Sequence, residues 1–548
     1  MKIQQTMKNI HDILENTFIK LTLVSLILLL CSILTGLHIL RMGIFIPVLL
    51  LLGIPFMIKT YTEKQKVRID TKIAWIVLAS VAILSFSIRY YQYFFTNVPP
   101  GYDPGLYKYG LDTYIASLPD IPEATLPKWF KEMFPQGIFL LGNVLYMVAG
   151  FGPTEIITII TPLVCAVMVI PVFAVSKNIS GHRGALISAV IYLLSATQYV
   201  LFEYSYLKNI LGLFLILTAI LLLQKERYTV LAIIYAALSI YHRPHFLLLS
   251  LVLLFWLIEK RDKKIYFTFI IAAVMMLPFW IHRMELGASM LKGLLDVASS
   301  NFSGETNGQG GTFLTYSKYA YLSLPYITFG TLGFINMLLN KRRDPVFYFT
   351  LITSILVIFR IVFFRRYLAT LDILLIVMAG GLVENILLER RKAIRIYCNM
   401  ILLMIALTGS FLLYGQMAED NRLISDGDLL DIEWMSVHVD PGNYILTTVY
   451  DAPWVLGWEK HPVVAPGLFH WDMHTQEEWV EFLGTSDPQQ AIEFISRYND
   501  NIYIYHSMNI KYIDLKKYSG REFQLIRCSS GKVYRYNGPV QLSEQNYL

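Results

Sequence analysis

Charge is scarce in this chain. Only 16% of its 548 residues are Asp, Glu, Lys or Arg, whereas a soluble protein carries about 25%. The deficit excludes a soluble enzyme, a disordered protein and a nucleic-acid binder with a basic face. Cysteine is sparse too: Cys31, Cys165, Cys398 and Cys528 are too few for a disulfide scaffold and lack metal-ligand spacing. There is no internal repeat of the kind that builds the inverted halves of a transporter. The first apolar run, about Thr17 to Leu40, is too long for a signal-peptide core and is followed by no small-residue cleavage site. What the chain has in excess is apolar residues, 55% of the total with a mean hydropathy of +0.50. It reads as a polytopic membrane protein.

Apolar runs long enough to cross a bilayer recur almost to residue 415 and then stop. The pattern predicts spans near 17–40, 42–59, 72–90, 154–175, 183–202, 207–223, 228–241, 245–258, 264–281, 320–340, 346–364, 366–387 and 395–415. The run Gly137 to Gly150 is ambiguous by length. Basic clusters at Lys59/Lys64/Lys66/Arg68/Lys72, Lys177/Arg183, Lys225/Arg227, Lys260/Arg261/Lys263/Lys264, Lys341/Arg342/Arg343 and Arg390/Arg391/Lys392/Arg395 decide it. All six lie on the cytoplasmic side only if 137–150 stays at the outer interface. About thirteen spans result, with the N-terminus cytoplasmic, the protein in the plasma membrane, and three long outer segments: 91–153, 282–319 and everything after 415. The glycine-rich stretch Ser303 to Gly311 then reads as an outer loop, and Asn301 opens a glycosylation triplet. From about Gln416 the pattern changes. Strands are expected at Tyr444 to Val449 and Ile502 to Tyr505, a helix at Gln489 to Tyr498, and a hairpin over Phe523 to Tyr536 around Ser529-Ser530-Gly531. The expected architecture is a helical transmembrane domain over 1–415, with its first outer loop at 91–153, and an extracytoplasmic α/β domain over 416–548.

Charge follows the same division. Up to residue 415 there are 36 Lys and Arg against 21 Asp and Glu; from 416 onward there are 10 against 19. The basic excess belongs to cytoplasmic anchoring, and the tail is acidic.

Chemistry-bearing residues gather at the outer ends of the spans. In Pro99-Pro100-Gly101-Tyr102-Asp103-Pro104-Gly105 the prolines and glycines fix a turn around one carboxylate. Two readings of Asp103 stay open: a metal ligand or general base, or a cap on the helix that Pro104 opens. Glu203 to Asn209, containing Lys208, reads as a functional boundary or as an aromatic belt with a snorkelling lysine. In Tyr241-His242-Arg243-Pro244-His245 the proline prevents a regular helical His pair, so a phosphate-binding cluster and an ordinary polar loop are the alternatives. Arg360, Arg365 and Arg366 sit at an outer boundary, against the positive-inside rule. Arg360 lies within an expected apolar run, where an unpaired charge costs about 3 kcal/mol or more. Something anionic should compensate it, and the arginine fork suits phosphate. Together these groups suit a reaction on a lipid-linked phosphate.

The stretch from Gly101 to Pro119, with Tyr102-Asp103-Pro104-Gly105-Leu106-Tyr107-Lys108-Tyr109, resembles the first outer loop of the GT-C superfamily of membrane glycosyltransferases. It is similar to the corresponding segment of oligosaccharyltransferase catalytic subunits. The resemblance continues through Phe134-Pro135-Gln136-Gly137, Pro162 to Ser176, Ala185 to Gln198, the Tyr206 to Gly212 boundary, and Arg366-Tyr367-Leu368 with Gly380-Gly381-Leu382-Val383-Glu384. In the tail it takes in 462–466, 501–505 and 533–536. It implies a GT-C-like fold, a polyprenyl-phosphate-linked sugar donor, an outward-facing site and inversion at the anomeric carbon.

Carried over residue by residue, Asp103 matches the essential first-loop Asp, expected as metal ligand or acceptor-activating base. Arg366 matches a basic residue facing the donor phosphate, with Arg365, Arg360, His242 and Arg243 as further phosphate candidates. Tyr102, Tyr107, Glu203 and Lys208 are expected to contact donor or acceptor. A divalent cation, Mg or Mn, is the expected cofactor, beside a metal-independent mechanism. Two departures matter. Lys208 and Asn209 stand where the relatives have an acidic segment, so that Glu203 would have to supply a second carboxylate. The tail also has no W-W-D-Y-G motif; Ala452 to Trp458 is the nearest stretch. The expectation is transfer of a sugar to a glycan, lipid or protein acceptor, with membrane lipids and no nucleic acid as partners. Oligosaccharyltransferase-type transfer to protein, and a transporter or flippase of lipid-linked sugars, are the alternatives.

Overall fold

A computed structural model describes residues 70–122, 126–283, 313–361, 363–387, 392–419, 421–440, 442–459, 461–464, 473–498, 502–508 and 513–538. The spans expected at 17–40 and 42–59, the Asn301 triplet and the Ser303 to Gly311 loop lie outside these residues. The chain forms two compact units. One comprises Met1–Arg89, Pro162–Phe202 and Leu207–Glu419; the other comprises Tyr90–Thr161, Glu203–Tyr206 and Asp420–Leu548.

The first unit is helical. Its elements include Thr71–Tyr90, Val169–Leu194, Leu207–Gln224, Tyr228–Tyr241, Arg243–Lys260, Lys263–Trp280, Pro345–Ile358, Phe364–Leu387 and Lys392–Met417. Among the described residues five helices are long and apolar enough to cross a membrane, or six if one bent pair counts as a span. The protein is a multi-pass membrane protein. Phe364–Glu384 is 94% buried, whereas Thr71–Phe94 is 22% buried. Small residues let backbones approach the centre closely, as in membrane bundles generally. A Cβ on Gly380 would meet the Gly184 carbonyl at 2.4 Å.

The turn expected between 175 and 183 is present: the helix breaks at Gly181, with φ 90°, and Ser176 Oγ and Ser188 Oγ on its two sides stand 2.9 Å apart, so the chain folds back there. Two expected boundaries differ from the structure. The span expected at 320–340 is two helices, Tyr316–Leu322 and Leu324–Leu339, bent by 94°, where Pro325 restarts the chain after Ser323. The helix expected to reach 364 ends at Ile358. Arg360 therefore lies beyond its end, exposed, in the turn that follows.

The second unit combines the first outer loop with the tail. Its five strands, β1 Tyr444–Leu446, β2 Val463–Val464, β3 Ile502–His506, β4 Phe523–Cys528 and β5 Lys532–Tyr536, run in the order β2-β1-β3-β5-β4. β1 is parallel to β2 and β3, and β5 is antiparallel to β3 and β4. β3 is buried along its whole length, as the centre of a two-faced sheet must be. One face packs Ile432, Met435, Ile445, Trp454 and Val533; the other packs Trp479, Phe482, Phe494, Ile504 and Tyr518. The helices start on sequence-encoded caps. Ser425 with Asp428 and Thr475 with Glu478 form capping boxes, each satisfying two otherwise orphaned donors. The ambiguous run becomes the helix Gly137–Ala149 of this unit. Its exposed residues are apolar, Val144, Met147 and Val148 among them.

Candidate functional site

In the second unit the loop around Asp103 is built by close backbone approach. Gly101 has φ 87°, and a Cβ there would lie 2.7 Å from the Glu203 carbonyl, so only glycine fits. Ser205 Oγ donates to the Pro100 carbonyl at 2.6 Å, drawing the Glu203–Tyr206 segment onto the loop. Asp103 then occupies the N-cap position of the helix Pro104–Ala116, but its side chain makes no capping hydrogen bond. Of the two readings the sequence leaves open, the cap is thus not how the carboxylate is used. The next turn meets the tail. A Cβ on Gly105 would sit 1.9 Å from the Pro453 carbonyl, and one on Gly457 would sit 2.4 Å from the Gly105 carbonyl. The helix Ala452–Trp458 therefore lies backbone to backbone against the helix that Asp103 opens.

Around this junction Tyr102 donates its hydroxyl to the Val449 carbonyl at 2.7 Å. Burial, with the charge of Asp103 beside it, pushes that phenol above its ordinary range. Lys108 pairs with Asp112 at 2.6 Å and stands over the Trp458 ring at 5.4 Å. Tyr107, expected to contact donor or acceptor, is instead a core residue, 1% exposed, with its ring edge-on to Phe134. Glu203 is buried, and its segment touches the loop two residues before Asp103. Among the described residues no three His, Cys, Asp or Glu side chains cluster as a metal cage. Two carboxylates on touching segments fit a hard cation such as Mg, which is commonly held by one or two carboxylates and keeps several waters.

The basic residues divide into two groups in the first unit. Arg366, Lys208 and Arg243 are the charged neighbours acting on His242, so residues separated by up to 158 positions converge there. The helix break at His242 is read from the sequence by Pro244, which sits in the first turn of Arg243–Lys260. His242 Nδ1 accepts the His245 amide at 3.4 Å, which leaves the ring proton on Nε2 in the neutral form. The two imidazoles stand 4.3 Å apart. His245 Nε2 meets Thr370 Oγ1 at 2.8 Å, and Tyr367 donates to the Pro244 carbonyl at 2.9 Å. Both contacts fasten the His loop to the helix that carries Arg366. Gly212 gives the imidazoles room: a Cβ there would be 2.2 Å from His245 Nδ1. Among the described residues His242 Nε2 and both amide atoms of Asn209 are buried with no hydrogen-bond partner, an arrangement that calls for an acceptor at His242 Nε2–H and Asn209 Nδ2 and a donor at Asn209 Oδ1. Arg360 and Arg365 form the second group, around Tyr316, with the Arg360 guanidinium 5.7 Å from its ring.

Sequence reasoning passed over the role of Asn209, Tyr367 and Thr370. Thr370 lies four residues after Arg366, hence one turn on along the same face, which was the available signal.

No family model matches the sequence, and no curated protein matches it. Solved structures do match in architecture. The oligosaccharyltransferase of Archaeoglobus fulgidus superposes with a TM-score of 0.61 over 80% of this chain and 70% of its own, at 12% identity. ArnT from Cupriavidus metallidurans, in a structure bound to undecaprenyl phosphate, gives 0.54 over 86% and 99%, also at 12% identity. The mycobacterial arabinofuranosyltransferase AftD gives 0.55 over 86% of this chain and 40% of its own. All three are GT-C glycosyltransferases. The chain has the GT-C fold. The A. fulgidus enzyme has also been crystallised with zinc and sulfate, and with a tethered acceptor peptide. At 12% identity the likeness to these GT-C proteins is one of fold.

Proposed function

We propose that the chain is an inverting glycosyltransferase that moves a sugar from a polyprenyl-phosphate-linked donor to an acceptor at the outer face of the membrane. The thirteen-span topology, with cytoplasmic N-terminus and extracytoplasmic tail, belongs to this reading. The observation that carries it is Asp103: a carboxylate at a helix entrance, not spent as a cap, on a loop that glycine geometry holds in place. As general base, Asp103 takes the proton of an acceptor hydroxyl while that oxygen attacks the anomeric carbon. The bond from that carbon to the phosphate oxygen breaks, and the lipid phosphate leaves with the electron pair. Arg366, Arg243 and the Nε2–H of His242 meet the departing charge, with Arg365 and Arg360 as further basic groups near the same span end. ArnT has been captured with undecaprenyl phosphate, which supports a donor of this class. Asp103 and Glu203 would hold a divalent cation, which would add positive charge against the leaving phosphate.

The acceptor reading follows from the tail. Trp454 is fully buried, and the partly buried Trp458 is stacked on it at 5.1 Å with Lys108 over its ring, so Ala452 to Trp458 presents no pair of free tryptophan faces to a peptide. A glycan or lipid hydroxyl fits better than an asparagine side chain. Asp103→Asn should abolish transfer, by about 10²- to 10⁴-fold, with melting temperature and expression unchanged. Full activity in that variant refutes the assignment. Transport without sugar transfer by the wild type would favour a flippase.

A further inference from the structure

The last turn of Thr71–Tyr90 carries a cation that the proposed reaction does not use. Arg89 is 1% exposed, although Ile83 and Leu84 on the same helix are turned outward. Its Nη1 donates to the Ser85 carbonyl at 3.2 Å and to Ser85 Oγ at 2.7 Å. The guanidinium lies 5.7 Å from the Tyr192 ring and 5.9 Å from the Tyr199 ring, with the Cys165 thiol beside it. Among the described residues Nε and Nη2 are buried without an oxygen or nitrogen partner, the weakly accepting Cys165 thiol being the polar group beside them, and no carboxylate pairs with the guanidinium.

Two ordinary explanations cover part of this. A cation in the last helical turn is favoured by the helix dipole, and aromatic faces attract it. Neither satisfies the two N–H groups, and a buried donor left without an acceptor carries its full desolvation cost. Arginine cannot discharge by losing its proton. Moreover, the unpartnered edge is the Nε/Nη2 side, the fork that receives two oxygens of one oxyanion. The helix that carries it exposes apolar side chains, Trp75, Ile76, Ile83 and Leu84 among them, so a ligand that reaches the fork from that side must itself be amphiphilic. We propose that Arg89 binds the phosphate of a membrane lipid through its Nε/Nη2 edge. The residues around Arg89, Ser85, Cys165, Tyr192 and Tyr199, are not those around Arg366, and the proposal does not depend on glycosyl transfer.

The test uses the full chain, purified and delipidated, in an Arg243→Ala/Arg366→Ala background that weakens binding at the donor group, so that the contribution of Arg89 is read against it. Thermal unfolding and binding are followed with undecaprenyl phosphate, phosphatidylglycerol, uncharged undecaprenol and inorganic phosphate. The background protein should be stabilised by lipid phosphate and not by undecaprenol. Arg89→Met should bind it at least tenfold more weakly yet melt higher without lipid, because an uncompensated buried charge has been replaced by an apolar chain. Arg89→Lys keeps the charge without the fork and should also lose at least tenfold; it carries the test if the methionine variant does not fold. A stronger response to undecaprenyl phosphate identifies a phosphomonoester ligand, and one to phosphatidylglycerol a phosphodiester. Unchanged binding in the Arg89 variants, an equal response to undecaprenol or inorganic phosphate, or no lipid-phosphate response in the background overturns the site.

Discussion

Replacing Gly105 by alanine tests how the tail supports Asp103. The new Cβ would lie 1.9 Å from the Pro453 carbonyl oxygen and 2.8 Å from the Trp454 amide nitrogen, where ordinary contact begins at 3.4 Å. Both opposing atoms are backbone and no rotamer change relieves them. The helices Pro104–Ala116 and Ala452–Trp458 must part by about 1.5 Å, which belongs to the overpacking class that costs about 1–3 kcal/mol. Asp103 stands two residues before the displaced glycine. A shift of about 1 Å at a reacting group is worth roughly 10²-fold in rate, so activity should fall further than stability alone explains. The assay pairs melting of the purified chain with sugar transfer from a polyprenyl-phosphate donor, measured well below the melting temperature. Gly484→Ala serves as control, since a Cβ there meets nothing within 4 Å. If Gly105→Ala keeps both wild-type melting and wild-type turnover, the backbone junction does not position Asp103.

Two further outcomes follow from the same geometry. Gly212→Ala drives a Cβ into His245 Nδ1 and should displace the imidazole pair, raising the donor KM about tenfold or more with kcat less affected; an unchanged KM argues against phosphate binding there. In the tail, burial and the neighbouring Asp428 push the Asp451 carboxyl up to about 7. Its folded pKa therefore exceeds the unfolded value of about 3.9, and its contribution to stability is lost as pH rises from about 4 to about 7. His506, held down to about 3 by burial, acts in the opposite sense over much of this window, so the wild-type profile should be shallow. Asp451→Asn should gain stability relative to wild type across that window, as read by melting temperature against pH; parallel curves for the two proteins refute the assignment.

Much of this molecule is legible in one dimension. The strands at 444 and 502 and the 523–536 hairpin follow from alternation and from Ser529-Ser530-Gly531, and the membrane helices follow from runs of apolar residues. The Asp103 loop is recognisable because proline and glycine advertise an unusual backbone. Arg360 is the instructive miss. Hydropathy continues past Ile358, but the helix does not, because a positive φ at Arg360 turns the chain. Arg89 is the converse: it reads as an unremarkable basic residue at a helix end, yet the packing buries it.

What the sequence by itself determined is whatever depends on neighbours along the chain. This covers the membrane class, the order and approximate ends of the helices, the acidic tail with its small sheet, and the candidate Asp103. These rest on solvent transfer and local backbone preference, which act over a few residues. Only the tertiary structure decided which distant residues share a site. The meeting of Gly105 with Gly457, the gathering of Lys208, Arg243 and Arg366 at His242, and the unpartnered fork of Arg89 all depend on which helices pack together. That choice is made by complementary surfaces and by the absence of a Cβ where two backbones touch, neither of which leaves a periodic trace in the sequence.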